Sequence, residues 1–269
     1  MILFYEKKAE TVRLVHGTQV THRFPIHTHH TLIVGMVLRG QRTIVLRNKI
    51  LWVQPGDLFV IRPDEPHFCC SDQPGGHDYW ALSFSQKSNA HDLRVETAAY
   101  GIHTKVIRNP LLFQEALDLA ALWVASPQSQ RFLRDAGRFL NALFIDSMRP
   151  TGIADNAGIA RYAPFPNPIQ KIKIHIEQHT AEAMRMHDLA RKCGLSPFYL
   201  TRLFREQIGL PPHAYLIQER IKQSQQLLKR GVAPVEAACE TGFADQSHFN
   251  RFFKKHTGIT PGQYADTVL

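Results

Sequence analysis

The period of the apolar positions changes once along the chain, and the change divides it in two. Between about Thr31 and Phe84 the apolar residues fall in short β-rich runs: TLIVGMVL, RTIVLR, ILWV, LFVI and DYWALSF. Turn chemistry separates them at Arg39-Gly40, Asn48-Lys49, Gln54-Pro55-Gly56-Asp57 and Arg62-Pro63-Asp64. Short strands at this spacing predict an antiparallel sandwich or small barrel. The period then becomes helical. Leu112, Ala116, Leu119 and Trp123 step by 4, 3 and 4, as do Phe132, Ala136, Phe139 and Leu143. Two helices are expected, over about 110–125 and 130–148. Asn109-Pro110 starts the first, and Ser126-Pro127 parts it from the second.

The stretch PTGIADNAGIARYAPFPNP is rich in Gly and Pro and has no period, which marks a linker. After it every segment is helical: KIKIHIEQH, MHDLARKC, SPFYLTRLFREQI, PPHAYLIQERIKQSQQLLKR and VEAACETG, then GFADQSHFNRFFKKHTGITPGQY. The expected fold class is α+β multidomain. A β-barrel unit with trailing helices fills 1–149, a linker 150–166, and an all-α unit 167–269.

The helical half contains a repeat. LARKCGLSPFYLTRLFREQIGLPPHAY aligns with AACETGFADQSHFNRFFKKHTGITPGQY, with one residue inserted in the second turn. Ala190, Gly194 and Leu195 match Ala238, Gly242 and Phe243. Leu200, Arg202, Leu203 and Phe204 match Phe249, Arg251, Phe252 and Phe253. Gly209, Pro212 and Tyr215 match Gly258, Pro261 and Tyr264. Each copy is a short helix, a turn with glycine and a second helix, the layout of a helix-turn-helix. At about 100° per residue, Phe249, Phe252 and Phe253 lie on one side of the last long helix. Ser247, Asn250, Arg251 and Lys254 lie roughly opposite. In the first copy Leu200, Leu203 and Phe204 form the buried side, and Phe198, Thr201, Arg202 and Arg205 the exposed one. Each exposed face joins an arginine to neutral hydrogen-bonders and further positive charge. Arginine bridges guanine O6 and N7, Asn or Gln reaches adenine, and Lys or Arg neutralises phosphate. A single amphipathic hairpin could simply turn a solvated face outward; two copies with the same turn glycine and outward arginine favour a reading surface.

Charge supports a polyanionic partner without localising it. The chain of 269 residues carries a formal +9, with 14 basic against 9 acidic residues from Asn167 on and 18 against 14 before it. Composition is that of an ordinary globular protein, at 44% hydrophobic and 20% charged. No apolar run is long enough to span a bilayer, and MILFYEKKAE lacks the pattern of a secretory signal. The four cysteines, Cys69, Cys70, Cys193 and Cys239, form no CxxC pair. A cytoplasmic protein with no membrane partner is expected.

With these motifs in view, the C-terminal half resembles the DNA-binding domain of the AraC/XylS family of transcription regulators, over about residues 167–266. That resemblance implies two helix-turn-helix units joined by a long helix, here about 212–229, entering adjacent major-groove segments of double-stranded promoter DNA. By position it assigns base-reading roles to Phe198, Thr201 and Arg202, and to Gln246, Ser247, His248, Asn250 and Arg251. Arg205 and Lys254 complete the two faces. His248 lies near the edge between the buried and open sides.

FPIHTHHTLIVGMVLRG and VQPGDLFVIRPDEPHFCC resemble the small cupin barrel that precedes this domain in many such regulators. In metal-dependent cupins an H-x-H motif is followed by a glutamate four or five residues on, and a third histidine comes from the next motif. Here His27, His29 and His67 take the histidine positions, but Ile33 or Val34 stands where the glutamate would be. Loss of that carboxylate argues against a cupin enzyme. The first reading is an effector pocket lined by His27, His29, Arg39, Arg42, Glu65, His67 and Tyr79, with no cofactor. A bare structural role comes second, and a metal sensor on His27, His29 and His67 third. Cys69 and Cys70 keep a metal- or thiol-sensing version open, although cysteine in a strand is usually a small buried hydrophobe. The run RPDEPH is similar to that of family members encoded beside amino-acid exporters, which makes an amino acid the leading effector. The family resemblance also implies a homodimer, and contact with RNA polymerase if the protein is an activator. The helices at 110–125 and 130–148 sit where the family often dimerises; their apolar stripes could equally pack on their own barrel.

Overall fold

A computed structural model describes residues 2–5, 12–47, 49–71, 73–85, 105–126, 129–147 and 168–267. The linker assigned to 150–166 lies outside the described residues. The chain divides into two compact units, Met1–Arg149 with Gln263–Leu269 and Pro150–Gly262.

In the first unit, strands β1 (Ile2–Tyr5), β2 (Val12–Val20), β3 (Thr31–Arg39), β6 (Leu58–Ile61), β8 (His77–Ser85) and β9 (Lys105–Ile107) form one sheet. Its order is β1-β2-β8-β3-β6-β9. Strands β4 (Arg42–Leu46), β5 (Ile50–Val53) and β7 (His67–Cys70) form a second sheet, in the order β5-β4-β7. All of these pairings are antiparallel. The five runs read as strands from sequence are all present. The pattern reading passed over β1, β2, β7 and β9, which are short or fall outside the window of clear alternation.

Period two sorts the large sheet into two buried faces. Leu32, Val34 and Met36 of β3, Leu58 and Val60 of β6, and Leu82 and Phe84 of β8 join one apolar cluster. Helices α1 (Pro110–Ala125) and α2 (Gln130–Ser147) cover that face with Leu112, Ala116, Leu119, Trp123, Phe132, Ala136, Phe139 and Leu143. Both helical stripes therefore belong to the chain's own barrel, and a dimer seam here would have to use other faces of α1 and α2. Asn109 caps α1 by accepting from the Leu111 and Leu112 amides, with Pro110 in the first turn. Ile33, Phe59 and Tyr79 alternate with the cluster residues and are buried on the opposite, inner face. Because both faces are covered, β3 is buried from Leu32 to Val37 without polar interruption.

Beyond residue 167 come α3 (Pro168–Gln178), α4 (Met186–Lys192), α5 (Pro197–Ile208), α6 (Pro212–Lys229), α7 (Pro234–Glu240), α8 (Gln246–Thr257) and α9 (Pro261–Thr267). Ile169, Ile172 and Ile176 of α3 pack with Leu189, Leu200, Phe204, Tyr215 and Leu216 around the first helix-turn-helix. The long helix α6 is buried continuously from Tyr215 to Ile221. Within that run lies Arg220. Its Nε donates to the Thr180 carbonyl at 2.7 Å, Nη2 to Glu182 O at 2.9 Å, and Nη1 to Gly242 O at 2.5 Å. One guanidinium thus ties the segment before the first helix-turn-helix to the turn of the second.

Candidate nucleic-acid interface and effector barrel

The repeat seen in the sequence recurs as geometry. Ser196 Oγ caps α5 by accepting from the Tyr199 amide at 3.2 Å, and Asp245 Oδ1 caps α8 by accepting from His248 N at 2.7 Å. Such caps contribute about 1 kcal/mol each. Both helices end in left-handed glycines of near-identical conformation, Gly209 at φ 84 and ψ −10 and Gly258 at φ 84 and ψ −11. Caps and stops at matching positions give two helices of 12 residues. They are two copies of one device.

On α5, Leu200 and Phe204 are buried, while Phe198, Arg202 and Arg205 are exposed and Thr201 is half-buried. Phe198 is 80% exposed, unusual for an aromatic with no function outward. Arg202 lies 5.1 Å over the Tyr199 ring and 3.9 Å from Glu206, contacts loose enough for the guanidinium to be redirected. On α8, Phe249 and Phe253 are fully buried; Gln246, Ser247, Arg251 and Lys254 are exposed, and Asn250 is half-buried. Phe252 departs from the expected core. It is half-buried, with the His248 ring edge-on at 4.7 Å and the Arg251 guanidinium 5.3 Å from its centroid. His248 also meets Phe243 at 5.7 Å. Its place is aromatic packing at the rim more than open surface.

The barrel interior is built around a cation. Arg42 is 7% exposed, and its guanidinium carbon sits 4.2 Å from the Tyr79 ring centroid and 5.2 Å from that of Phe59. Those rings lie flat enough to receive it because the sheet beneath is glycine. A Cβ on Gly35 would come within 1.9 Å of Phe59, and one on Gly17 within 2.3 Å of Tyr79. Arg42 Nη1 meets His77 Nε2 at 2.8 Å, but Nε has no hydrogen-bond partner. No carboxylate lies within ion-pair distance of Arg42 among the described residues. Burial and the Arg42 charge push His77 down to about 3, so its imidazole is neutral and accepts from the guanidinium. Burial pushes the Tyr79 hydroxyl up.

At the edge of this interior, His27, His29 and His67 converge, with ligand atoms all within 4.8 Å of one another. Burial first, then the neighbouring His27, holds His67 well below the ordinary imidazole range. Two of the expected effector residues lie elsewhere. Arg39 is exposed and clamps Asp78 through Nε at 2.9 Å and Nη2 at 3.3 Å; Glu65 pairs with Arg62. Each already has an opposite charge beside it. His77, which the sequence reading passed over, belongs to the site; only its place one residue ahead of the DYWALSF strand hinted at it. Cys69 and Cys70 are both buried and unbridged, as small hydrophobes are.

A barrel interior holding a buried cation, in a chain that also carries two matched helix-turn-helix units, fits the plan of a ligand-responsive DNA-binding protein. The comparisons agree. Residues 11–143 match the AraC-like ligand binding domain and residues 189–267 a helix-turn-helix domain. The chain belongs to the AraC/XylS family of transcription regulators. It is 29% identical over 234 residues to the uncharacterized HTH-type transcriptional regulator YbfI of Bacillus subtilis, covering 85% of this chain and 82% of that one. To the arabinose operon regulatory protein of Escherichia coli it is 24% identical, covering 86% and 79%. Unsaturated fatty acid-bound ToxT from Vibrio cholerae shares the fold, with a TM-score of 0.63 at 16% identity over 98% of both chains. Among the described residues no helix is long and apolar enough to cross a membrane.

Proposed function

We propose that this regulator reads promoter DNA with α5 and α8 and holds a small carboxylate-bearing effector, an amino acid first among candidates, against Arg42 in its barrel. The observation that carries the DNA reading is the pair of identically capped helices, each with a buried apolar side and an arginine-centred open side. Arg202 and Arg251 supply guanine contacts, Gln246 and Asn250 adenine contacts, and Phe198 an apolar contact to thymine methyls. Thr201 and Ser247 add hydroxyls, while Arg205 and Lys254 neutralise phosphate. His248 braces Phe252 and reaches DNA only from the rim.

In the barrel a buried guanidinium with an unmatched Nε is suited to a carboxylate, which offers the missing charge and acceptors together. Tyr79, His67 and His77 line the same place, with His27 and His29 at its edge. The working division is a sensing unit over 1–149, a linker over 150–166 and a DNA-binding unit over 167–269. Effector binding shifts the arrangement across the linker by differential affinity for its states. The protein acts in the cytoplasm as a homodimer, because two linked DNA contacts on direct repeats gain from each other. It is not an enzyme, and as an activator it would also touch RNA polymerase.

The test is binding to promoter DNA across a salt series. The expected log–log slope is steep, and Arg251→Ala or Arg202→Ala should cost roughly 1–3 kcal/mol and relax preference at one base. An Arg251→Ala protein that binds as tightly and as selectively as the parent would reject this reading face.

A further inference from the structure

The helices α5 and α8 match in length, caps and stops, but not in the donors they show. Thr201 Oγ1 donates to the Pro197 carbonyl at 2.8 Å, so its proton is spent within the helix. Phe198 has no polar atom in its side chain. On the open side of α5 that leaves Arg202 and Arg205, and Arg205 sits in the last turn. The open side of α8 instead carries Gln246, Ser247, Asn250 and Arg251. A recognition helix touches base edges with its N-terminal residues. Base reading by α5 therefore falls on one side chain, the Arg202 guanidinium, and its direction decides what the helix recognises.

That direction is set from both sides. Residues three and four apart share a helix face, and Tyr199 and Glu206 stand at those spacings before and after Arg202. The guanidinium carbon lies 5.1 Å from the Tyr199 ring centroid, inside the roughly 6 Å reach of cation–π attraction. Its Nε is 3.9 Å from Glu206 Oε1. The ring is placed from the helix start, where the Tyr199 amide donates to the Ser196 cap. Tyr199 is 40% exposed, outside the buried side formed by Leu200 and Phe204. The second copy also sets its arginine against a ring, Arg251 at 5.3 Å from Phe252. Phe252 directly follows its arginine and matches Leu203, not Tyr199, in the repeat. The platform is thus reached from non-equivalent positions, which packing inherited with the duplicated fold does not explain. The acid is not repeated. Lys255 stands where Glu206 does, and α8 contains no Asp or Glu.

We propose that Tyr199 and Glu206 are positioning residues that make Arg202 selective for guanine. An aromatic face restricts the plane of a guanidinium while leaving its edge free to donate, which suits bidentate bonding to guanine O6 and N7. Glu206 occupies the guanidinium until a base replaces it, at small cost because the pair is half-exposed. Beside a phosphate the same carboxylate is repelled, so contact with DNA of the wrong sequence gains less. The other helix has Lys254, Lys255 and His256 in its last turn and no such restraint, and it supplies sequence-tolerant anchorage. This inference rests on the reading of α5 and α8 as DNA-binding helices.

The experiment selects a randomised duplex library on the full-length chain and sequences what is bound, with Arg202→Ala marking the base pair that α5 reads. At that pair Tyr199→Leu should lower the guanine preference about two- to fivefold, the size of an exposed cation–π contact, and Tyr199→Phe should keep it. In both variants the preferences at positions read by α8, and the slope of log affinity against log salt, should be unchanged. Glu206→Gln should raise affinity for duplexes lacking the selected site roughly twofold or more, and for the selected site by less. Guanine preference that survives Tyr199→Leu, falls equally at the α8 positions, or is lost in Tyr199→Phe overturns the platform. Unchanged selectivity in Glu206→Gln overturns the part given to the acid. A parent that selects a site, altered at one base by Arg202→Ala, leaves the DNA reading standing whatever the Tyr199 and Glu206 variants do; a parent that selects nothing removes both.

Discussion

Each unit of this protein buries an arginine, and the two are treated in opposite ways. Arg220, in the helical unit, gives Nε, Nη1 and Nη2 to three backbone carbonyls from two separate turns. Arg42, in the barrel, has one histidine, two aromatic faces, the Cys69 thiol and Tyr79 hydroxyl beside it, and an unmatched Nε. A charge withdrawn from water is costly unless its donors are matched. Arg220 is matched by the fold and so acts as a strut. Arg42 is only partly matched, and this is the ground for placing the proposed effector against it. The difference separates a structural cation from a receptive one without reference to any ligand.

The comparison breaks most easily at the strut. Arg220→Ala leaves the buried Thr180 carbonyl and the part-buried Glu182 and Gly242 carbonyls without their donor and should lower the stability of the helical unit by roughly 2 kcal/mol or more, read from urea midpoints. An unchanged midpoint would show that Arg220 is not a strut. A smaller and more selective effect is expected at the turn it holds. Gly242 has φ +78, and a Cβ there would stand 2.4 Å from the Ala181 carbonyl and 2.9 Å from Arg220 Nη2. Gly194, its counterpart in the first copy, has φ +64 and open space around it. Gly194→Ala should therefore cost only the left-handed strain of about 1–2 kcal/mol, and Gly242→Ala clearly more. Equal losses would mean that the Arg220 contact adds nothing to the second turn.

For the receptive arginine the expected pattern is reversed. Arg42→Met should change barrel stability by no more than about 1 kcal/mol, or raise it, since an incompletely matched charge is replaced by a flexible apolar chain. Thermal stabilisation by a carboxylate effector should disappear in the same variant. A large loss of stability would make Arg42 structural too, and the contrast would collapse.

The smallest effect concerns pH. His77 is held at about 3 against an ordinary 6.5, so the unfolded chain takes up its proton first as pH falls. Its contribution is complete above about 6.5, declines as pH drops toward 3, and levels off below. His67, also held neutral, adds to the slope with the same sign. Denaturation midpoints measured across that window should fall more gently in His77→Gln than in the parent; a parallel slope would count against the buried neutral imidazole.

Much of the second unit was legible before any coordinates. The long helix that the resemblance implies at 212–229 is α6 at Pro212–Lys229, with proline in its first turn. The repeat was legible because its glycines, prolines and apolar positions act locally, within a turn or two of chain. Phe252 was misplaced because a helical wheel gives a direction and not a depth; whether that direction meets core or rim depends on Phe243 and His248, which approach from outside the period.

The barrel was legible as strands but not as a site. Alternation named the runs, and the resemblance named the histidines, yet Arg39 and Arg42 looked equivalent in the sequence. Only the packing of the β5-β4-β7 sheet against the sheet that carries β6 and β8 put one of them between Phe59 and Tyr79 and left the other at the surface beside Asp78. His77 joined the site by the same long-range packing.

By itself, then, the sequence determined the two kinds of secondary structure, the duplicated helix-turn-helix and the faces that each copy turns outward, all consequences of contacts near in the chain. The tertiary structure alone decided which cation is buried with an unmatched Nε and which carboxylates are already paired. Those outcomes depend on residues tens of positions apart meeting across two sheets, where burial and the absence of water set the energy of each charge.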